Sequence, residues 1–261
     1  IHGREAIEAY GLEAFSRRCM ESVFTYVNEW ERLTERVGFW VDMEGAYATF
    51  HRSYVESVWW ALSRLFEKGL LYQGHKVVWW WPQGGTALSA AEVGLGYKTV
   101  DDPSITIRFR VEGHPRTSLL AWTTTPWTLP SNVALAVKPD APYVWVEVGD
   151  EVLVVAEALA GPLGGTILRR APGRALVGLR YEPLYRYGQP GPGRLWEGVA
   201  ADYVTLDTGT GIVHQAPAFG EEDYQIGLEH GLSFHCLVGP DGRFLPGTDF
   251  LEGRFCKDTD K

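Results

Sequence analysis

The chain has 261 residues, of which 45% are hydrophobic and 13% aromatic, and this content supports a folded core and excludes wholesale disorder. Its net charge of −9 disfavours generic, charge-driven nucleic-acid binding. Cys19, Cys236 and Cys256 contain no C-x-x-C spacing, which argues against a disulfide framework and favours a reducing, cytoplasmic compartment. No apolar run has the length of a membrane span, and no signal-peptide pattern opens the chain. Because the chain begins at Ile1 and not at a methionine, we interpret it as a piece of a longer protein.

The first third of the chain is predicted to be helical. Apolar residues spaced three and four apart run from Leu12 to Val37, which predicts one long amphipathic helix. Ser53 and Glu56 have the spacing of a capping box, which predicts the start of a second helix that Gly69 ends. The apolar stripes of both helices predict that their aromatic residues pack into a core.

From Ile105 onwards apolar residues recur every second residue and no longer every 3.6 residues, and this change predicts strands. One strand is predicted from Ile105 to Val111, and others at residues 118–123, 133–137, 143–148, 152–155 and 203–205. Short strands separated by frequent turns are typical of a closed or nearly closed β-barrel. One late helix is predicted at residues 221–230, with Gly231 at its end. We therefore predict an α+β chain with a boundary near residue 96, a helical segment and connector at 1–95 and a β-barrel-like domain at 96–261.

Residues 168–194 carry a local excess of positive charge. The stretch has a single acid, Glu182, and Gly and Pro interrupt it repeatedly, which predicts a loop-rich region. Its six arginines are Arg169, Arg170, Arg174, Arg180, Arg186 and Arg194. Two interpretations remain open, a solvated loop and a surface that contacts phosphates.

The run W-T-T-T-P-W-T-L-P-S-N, residues 122–132, ends an apolar strand with three hydroxyl side chains. Pro126 and Pro130 prevent the strand from continuing, because proline has no N–H to give a sheet and fixes its own φ. The pattern by itself favours a strand end followed by a turn. The alternative is that the hydroxyls line a pocket.

A second dense stretch covers residues 208–223. His214 is predicted at a strand end and Asp223 in the first turn of the late helix, so both side chains can face one cleft. The alternative is that Asp223 only stabilises the helix start and that His214 is a satisfied histidine. The sequence has no nucleophile elbow, no P-loop or complete dinucleotide motif, and no metal-ligand spacing.

Together the two stretches resemble the isoleucyl-tRNA synthetases, a family of class I aminoacyl-tRNA synthetases. Residues 122–132 are similar to the threonine-rich peptide of that family's editing (CP1) domain, and G-T-G-I-V-H-Q-A-P-A-F-G-E-E-D, residues 209–223, is similar to its second editing motif. Thr125 and His214 indicate the isoleucyl branch, since the valyl and leucyl relatives typically carry an arginine at the first position and lack the histidine. Residues 21–26, 40–42 and 46–49 look like helices of the aminoacylation domain.

The chain departs from the family in three respects. W-P-Q-G-G-T at residues 81–86 lacks both cysteines of the family's C-P-x-C-G-T, so no zinc knuckle is expected and no metal site is predicted. The HIGH and KMSKS signatures are absent, so this piece is not expected to activate amino acids, and ATP and Mg²⁺ are expected only in the full-length enzyme. The editing domain is expected to be truncated at its C-terminal end. Editing itself is expected to need no cofactor.

The resemblance implies a hydrolase that removes valine from Val-tRNA(Ile) after transfer. Thr123, Thr124 and Asp223 would be catalytic, with Asp223 also binding the α-ammonium group, and no protein residue need be a general base. Thr125 and His214 would flank the side chain as a steric sieve. The full implied substrate-binding set is Thr125, Trp127, Thr128, Asn132, His214 and Asp223.

The implied ligands are the 3′ acceptor end of tRNA(Ile) and valine or valyl-adenylate-like molecules, bound by a cytoplasmic monomer without membrane contact. Two other functions remain open. One is a non-catalytic module that binds the tRNA acceptor end, with the arginine-rich stretch as its surface. The other is a general esterase that uses His214 and Asp223, and this function requires a nucleophile.

Overall fold

The computed structural model describes residues 3–260. The described chain divides into two units, one ending at Lys76 and the other beginning at Val77, so the predicted boundary near residue 96 lies within the second unit. The first unit is helical and the second consists mainly of strands with two α-helices. The predicted α+β class is therefore confirmed.

The first unit contains the helices α1 (Arg4–Tyr10), α2 (Leu12–Val23), α3 (Val27–Arg36) and α4 (Arg52–Glu67). The prediction of one long helix is wrong, because the chain leaves the helical path between α2 and α3. All five residues from Val23 to Val27 are β-branched or aromatic, the classes that lose most side-chain freedom in a helix. In addition, Thr25 Oγ1 donates to the main-chain oxygen of Glu21 at 3.2 Å.

Helix α4 begins without the capping box predicted at Ser53. Its N-cap residue, His51, makes no side-chain hydrogen bond. The Glu56 carboxylate, which the box would need, instead accepts a hydrogen bond from Arg52 Nε at 2.8 Å. A capping box does occur later, between Ser89 and Glu92, where it begins the short helix α5 (Ala90–Leu95).

The apolar stripes of the first unit are on the surface. No residue of α1, α2, α3 or α4 is buried, and Trp30 and Trp59 are 67% and 68% exposed. The predicted core packing of these aromatic residues is therefore wrong. An apolar helix face becomes a core only when a second layer of structure covers it, and the described residues of this unit supply no such layer.

Between Val77 and residue 260 the second unit contains ten strands and two α-helices, α5 and α6 (Glu221–His230). The strands are β1 (Trp79–Trp81), β2 (Thr86–Leu88), β3 (Ile105–Arg110), β4 (Thr117–Thr123), β5 (Ala134–Val137), β6 (Pro142–Val148), β7 (Glu151–Ala156), β8 (Thr166–Pro172), β9 (Glu197–Ala200) and β10 (Ile212–Gln215). They form a β1–β2 hairpin, a five-stranded sheet of order β3-β4-β7-β6-β8 and a three-stranded sheet of order β10-β5-β9. Within residues 3–260 none of these sheets closes on itself, so the strands form open sheets and not a closed barrel.

The strands predicted around residues 105–155 are confirmed as β3 to β7, and the late helix is confirmed as α6. Residues 203–205 form no strand, because the chain turns there and the Val204 N–H points back to the oxygen of Ala201. Strands β8 and β9 were not predicted. β8 is largely exposed at a sheet edge and carries Arg169 and Arg170, so it lacks an apolar alternation, and the predicted loop is wrong for this segment.

The main core of the second unit lies between its two larger sheets. Leu119 of β4, Tyr143 of β6 and Val154 of β7 meet Leu135 of β5 and Ile212 of β10, and all five side chains are almost fully buried. β4 and β10 contact each other across this core although they belong to different sheets. The packing thereby brings together the two stretches that the sequence singles out.

Candidate active site

The threonine-rich stretch is a strand end followed by a tight helical turn. β4 ends at Thr123, and residues Pro126–Ser131 form a 3-10 helix with proline in its first turn. Thr123 Oγ1 accepts the N–H of Thr125 at 3.1 Å, and the hydroxyl of Thr128 donates to the main-chain oxygen of Thr125 at 2.8 Å. These bonds replace the sheet hydrogen bonds that the proline interrupts.

His214 lies in β10 opposite Leu135 of β5, and it is only 7% exposed. Its Nε2 is 2.8 Å from Thr128 Oγ1, and its Nδ1 is 3.5 Å from Asn132 Nδ2. Burial lowers the pKa of His214 from 6.5 to about 4, so the imidazole is neutral at pH 7. The histidine is thus a buried, uncharged group joined directly to the threonine-rich turn.

Asn132 lies beneath the surface, where its amide is fully engaged. Nδ2 donates to the main-chain oxygen of Ala134 at 2.9 Å, and Oδ1 accepts a hydrogen bond from the Tyr181 hydroxyl at 2.6 Å. Burial raises the pKa of Tyr181 well above 10, so this hydroxyl keeps its proton. Asn132 therefore contacts the buried side of His214.

Asp223 lies in the first turn of α6, and its Oδ1 accepts the N–H of Ala216 at 2.9 Å. Ala216 is two residues beyond His214, so this bond anchors the carboxylate beside the end of β10. The other oxygen lies over Gly220, where a side chain would overlap it. Burial raises the pKa of Asp223, and the Ala216 hydrogen bond opposes that rise.

Thr124 and Thr125 are the exposed members of the threonine run. Thr123 and Thr124 line a polar cleft of about 210 Å³ together with the Trp122 ring and the loop that leads into β10. The loop supplies Thr205 and residues 208–211, among them Gly209, Thr210 and Gly211, and the start of β10 supplies residues 212–213. The cleft offers hydroxyls and main-chain groups to a polar ligand.

Trp127 faces a different concavity. Its ring packs edge-to-face on Phe219, with centroids 4.9 Å apart, and it lines an apolar groove of about 600 Å³ that also contains Trp80 and Phe255. Thr128, His214 and Asn132 thus form one connected buried cluster, Thr123 and Thr124 line the polar cleft, and Trp127 lines the groove. Asp223 is joined to the buried cluster through the short segment from His214 to Ala216.

Each of the six arginines between residues 169 and 194 already has a partner within the described chain. Arg169 and Arg186 stack on the rings of Trp145 and Trp196, with the guanidinium carbon 4.4 and 5.4 Å from the ring centroid. The other four pair with carboxylates: Arg170 with Glu157, Arg174 with Asp140, Arg180 with Glu112 and Arg194 with Glu197. Because these arginines are already paired within the chain, the interpretation of residues 168–194 as a surface that contacts phosphates is weakened.

The esterase alternative meets a structural obstacle. The hydroxyl nearest to His214 belongs to Thr128, which is 4% exposed and already donates its hydrogen to Thr125. A nucleophile has to reach the carbonyl carbon of its substrate, and this oxygen is enclosed. The arrangement therefore does not resemble a working hydroxyl–imidazole pair.

Two further residues contact the site and were not singled out from the sequence. Tyr181 reaches Asn132, as described above, and Asp260 Oδ1 accepts the main-chain N–H of Trp127 at 3.0 Å. Lys257 Nζ is 2.9 Å from Asp260 Oδ2 and also 2.9 Å from Asp102 Oδ1. No local pattern marks either residue, because each reaches the threonine-rich turn through a long-range contact.

Residues 3–260 contain neither a membrane-spanning helix nor a cluster of metal ligands. Over that range no helix combines the length and the apolar character that crossing a bilayer requires. The same residues include no group of three or more His, Cys, Asp or Glu side chains arranged to hold a metal ion.

The family description "tRNA synthetases class I (I, L, M and V)" matches residues 1–213, and the chain belongs to this family. Over 256 residues it is 49% identical to the isoleucine–tRNA ligase of Thermus thermophilus, a match that covers 94% of this chain and 24% of the relative. Over 262 residues it is 45% identical to the isoleucine–tRNA ligase of Clostridium acetobutylicum, covering 100% of this chain and 25% of the relative. The resemblance to isoleucyl-tRNA synthetases is thereby confirmed.

The chain spans about a quarter of the length of the curated relatives it matches. Among solved structures, the cytosolic leucyl-tRNA synthetase editing domain of P. knowlesi is 18% identical, with a TM-score of 0.35 over 41% of this chain and 48% of that one. A likeness this partial supports no functional conclusion.

Proposed function

We propose that this chain is the editing part of an isoleucyl-tRNA synthetase and hydrolyses the ester bond of Val-tRNA(Ile). The single observation that supports this most is the 2.8 Å contact between Thr128 Oγ1 and His214 Nε2, which joins the two editing-type motifs in one cluster. The membership of the chain in the class I family provides the context. The activity, the tRNA and the valine substrate are all parts of the proposal.

A separate hydrolytic site is needed because a binding pocket alone discriminates poorly between isoleucine and valine. Isoleucine and valine differ by one methylene, which a hydrophobic pocket discriminates by only about 1–3 kcal/mol, a limit for which this synthetase family is itself the standard example. A second site that destroys the smaller product multiplies the discrimination. It has to admit valine, exclude isoleucine and hold a water at the ester carbonyl.

To exclude isoleucine, the residues that contact the amino-acid side chain in the pocket have to be rigid. His214 suits this role because it is buried, neutral and held on both ring nitrogens, by Thr128 and Asn132. Rigid, fully bonded groups resist displacement by one extra methylene better than mobile side chains do. In this proposal Thr125 and His214 together form the sieve.

Asp223 would bind the α-ammonium group of the misattached valine. Its carboxylate is half-buried and carries a pKa raised by burial, so a cation that pairs with it would relieve an unfavourable desolvation. The Ala216 hydrogen bond holds the carboxylate in place before the substrate arrives. Such pre-positioning reduces the ordering cost of binding.

Hydrolysis in this proposal depends on positioning and not on a strong base. The pKa of His214, near 4, and the engagement of both its nitrogens make it a poor acceptor for the proton of water. Thr123 and Thr124 line the polar cleft, and their hydroxyls would orient the water and the terminal ribose. A fixed near-attack geometry and preorganised dipoles then supply the acceleration.

A deacylation assay on matched Val-tRNA(Ile) and Ile-tRNA(Ile) tests the proposal. We expect the first ester to be cleaved and the second to be spared. Retention of both charged tRNAs on the protein without cleavage would instead support the non-catalytic binding module. Cleavage of simple esters together with trapping by a serine-directed phosphonate would support the general esterase.

A further inference from the structure

A chain of buried hydrogen bonds extends behind the candidate sieve. It runs from the hydroxyl of Tyr181 to Asn132 Oδ1, at 2.6 Å, and from Asn132 Nδ2 towards His214 Nδ1, at 3.5 Å. Asn132 and His214 are 7% exposed, and Tyr181 is inaccessible to solvent.

The direction of every bond in this chain is determined by the chemistry of its ends. The main-chain oxygen of Ala134 can only accept, so the side of the Asn132 amide that faces it at 2.9 Å must be the NH₂ group. The amide oxygen then faces Tyr181, whose hydroxyl must donate. The second amide hydrogen points to His214 Nδ1, which therefore has no proton of its own.

The opposite side of the imidazole leads to the same assignment. Thr128 gives its hydroxyl hydrogen to the main-chain oxygen of Thr125 at 2.8 Å, so its Oγ1 is left as an acceptor towards His214. A proton on His214 Nε2 therefore has an acceptor on this side. The Asn132 amide leaves Nδ1 without a proton, and the Thr128 oxygen provides an acceptor for hydrogen on Nε2, so both sides fit the neutral Nε2–H imidazole.

We infer that Tyr181 is a positioning residue of this site, which through Asn132 holds His214 as the Nε2–H tautomer and in a single ring orientation. Tyr181 is itself held on several sides. Its ring packs edge-to-face on Phe109, with centroids 5.1 Å apart, and its main-chain N–H donates to Trp196 O at 3.0 Å. Its effect on discrimination between valine and isoleucine rests on the proposed function, but its effect on the tautomer does not.

Nitrogen-15 NMR of the histidine rings in the intact chain measures the tautomer directly. We expect His214 to show one neutral form, with hydrogen on Nε2, at neutral pH. A His214 ring protonated on Nδ1 would overturn the inference without any variant. This measurement stands even if the wild-type chain fails to cleave Val-tRNA(Ile), in which case only the proposed function is lost.

Two variants extend the test. Tyr181→Phe removes the donor to Asn132 Oδ1 that residues 3–260 provide, and we expect mixed or broadened His214 signals and an approximately tenfold loss of the Val/Ile cleavage ratio, the scale of one buried hydrogen bond. Asn132→Asp has no N–H to offer Nδ1, so the proton should move to Nδ1 of His214. Asn28→Asp, on an exposed helix, adds the same charge as a control and should keep the wild-type spectrum.

Tyr143→Phe is the matched control for the loss of a buried hydroxyl. Tyr143 is also inaccessible, and its hydroxyl donates to the main-chain oxygen of Gly211 and not to Asn132. It should lower stability without moving the His214 signals. A folded Tyr181→Phe protein with one sharp Nε2–H form and an unchanged cleavage ratio would contradict the positioning role.

Discussion

Thr128 Oγ1 lies 2.8 Å from His214 Nε2, and this contact joins two polar stretches that are 86 residues apart in the chain. Thr128 comes from the turn that follows β4, and His214 comes from β10. The threonine that reaches the histidine is therefore not one of the three consecutive threonines. It is the fourth, which the 3-10 helix turns towards the core.

Replacing Thr128 by valine should destabilise the site. Valine keeps the shape of the side chain but leaves the buried Nε2–H of His214 without an acceptor, a loss of about 1–3 kcal/mol in the free energy of unfolding. Thr128→Ser keeps the hydroxyl and should retain most of that stability. Urea denaturation of the two variants measures the difference, and equal stabilities would contradict the importance of the bond.

Replacing His214 by alanine should open the sieve. The shorter side chain leaves space beside Thr128, so Ile-tRNA(Ile) should become a substrate while Val-tRNA(Ile) is still cleaved. His235→Ala, which removes another buried histidine, should leave the discrimination unchanged. An Ile-tRNA(Ile) that stays intact with a folded His214→Ala protein would show that His214 does not exclude isoleucine.

The stability of the chain should fall on mild acidification because of His214. Its pKa is lowered from 6.5 to about 4 in the folded state, so between those values the unfolded chain binds a proton that the folded chain does not. The free energy of unfolding should therefore decrease as the pH falls through this window, by about 3 kcal/mol in total, and level off below it. Denaturation of the wild type and of His214→Gln at about pH 7 and about pH 4.5 isolates this contribution. A variant with the same pH dependence as the wild type would refute it.

Replacing Asp223 by asparagine separates its charge from its structural bond. Asparagine still offers an oxygen to the N–H of Ala216, so the fold should be retained, but it cannot pair with an ammonium group. We expect kcat/KM for Val-tRNA(Ile) to fall about ten- to a hundredfold, the scale of a hydrogen bond to a charged group. Glu222→Gln changes the adjacent, exposed acid of the same turn and should keep full activity. Undiminished cleavage by Asp223→Asn would rule out ammonium binding there.

Removing the Asp260 carboxylate should loosen the turn that carries Trp127. Asp260→Ala leaves the Trp127 N–H without its acceptor and should cost about 1–3 kcal/mol in the free energy of unfolding. Asp102→Asn, which breaks only the exposed pair with Lys257, should change stability by less than about 1 kcal/mol. Hydrogen exchange of the Trp127 amide gives a local measurement, and faster exchange is expected only in the Asp260 variant.

Elements governed by local rules could be predicted from the sequence. The bounds of α6 follow from the acids in its first turn and from Gly231 at its end. The strands from Ile105 onwards follow from their alternation. The break between α2 and α3 was missed because the apolar spacing continues across it, while the residues that carry the spacing are themselves poor helix formers.

The sequence indicates which residues form the candidate site but not which of them contact one another. Motif resemblance points to His214, Asp223 and the threonines. It does not reveal that Asn132 contacts the buried side of His214. The orientation of Asn132 depends on a hydrogen bond from Tyr181, a residue 49 positions away in the chain. Such contacts are set by how the two sheets pack, and no local sequence window contains that information.

The bond between Trp127 and Asp260 has a consequence for the order of folding. Its partners are separated by 133 residues, so it closes one of the longest loops in the second unit, and chain entropy delays contacts of this kind. On a ribosome, the turn that presents the threonines would stay loosely held until residues 256–260 had emerged and docked. The candidate site would then be completed last, after both larger sheets had assembled.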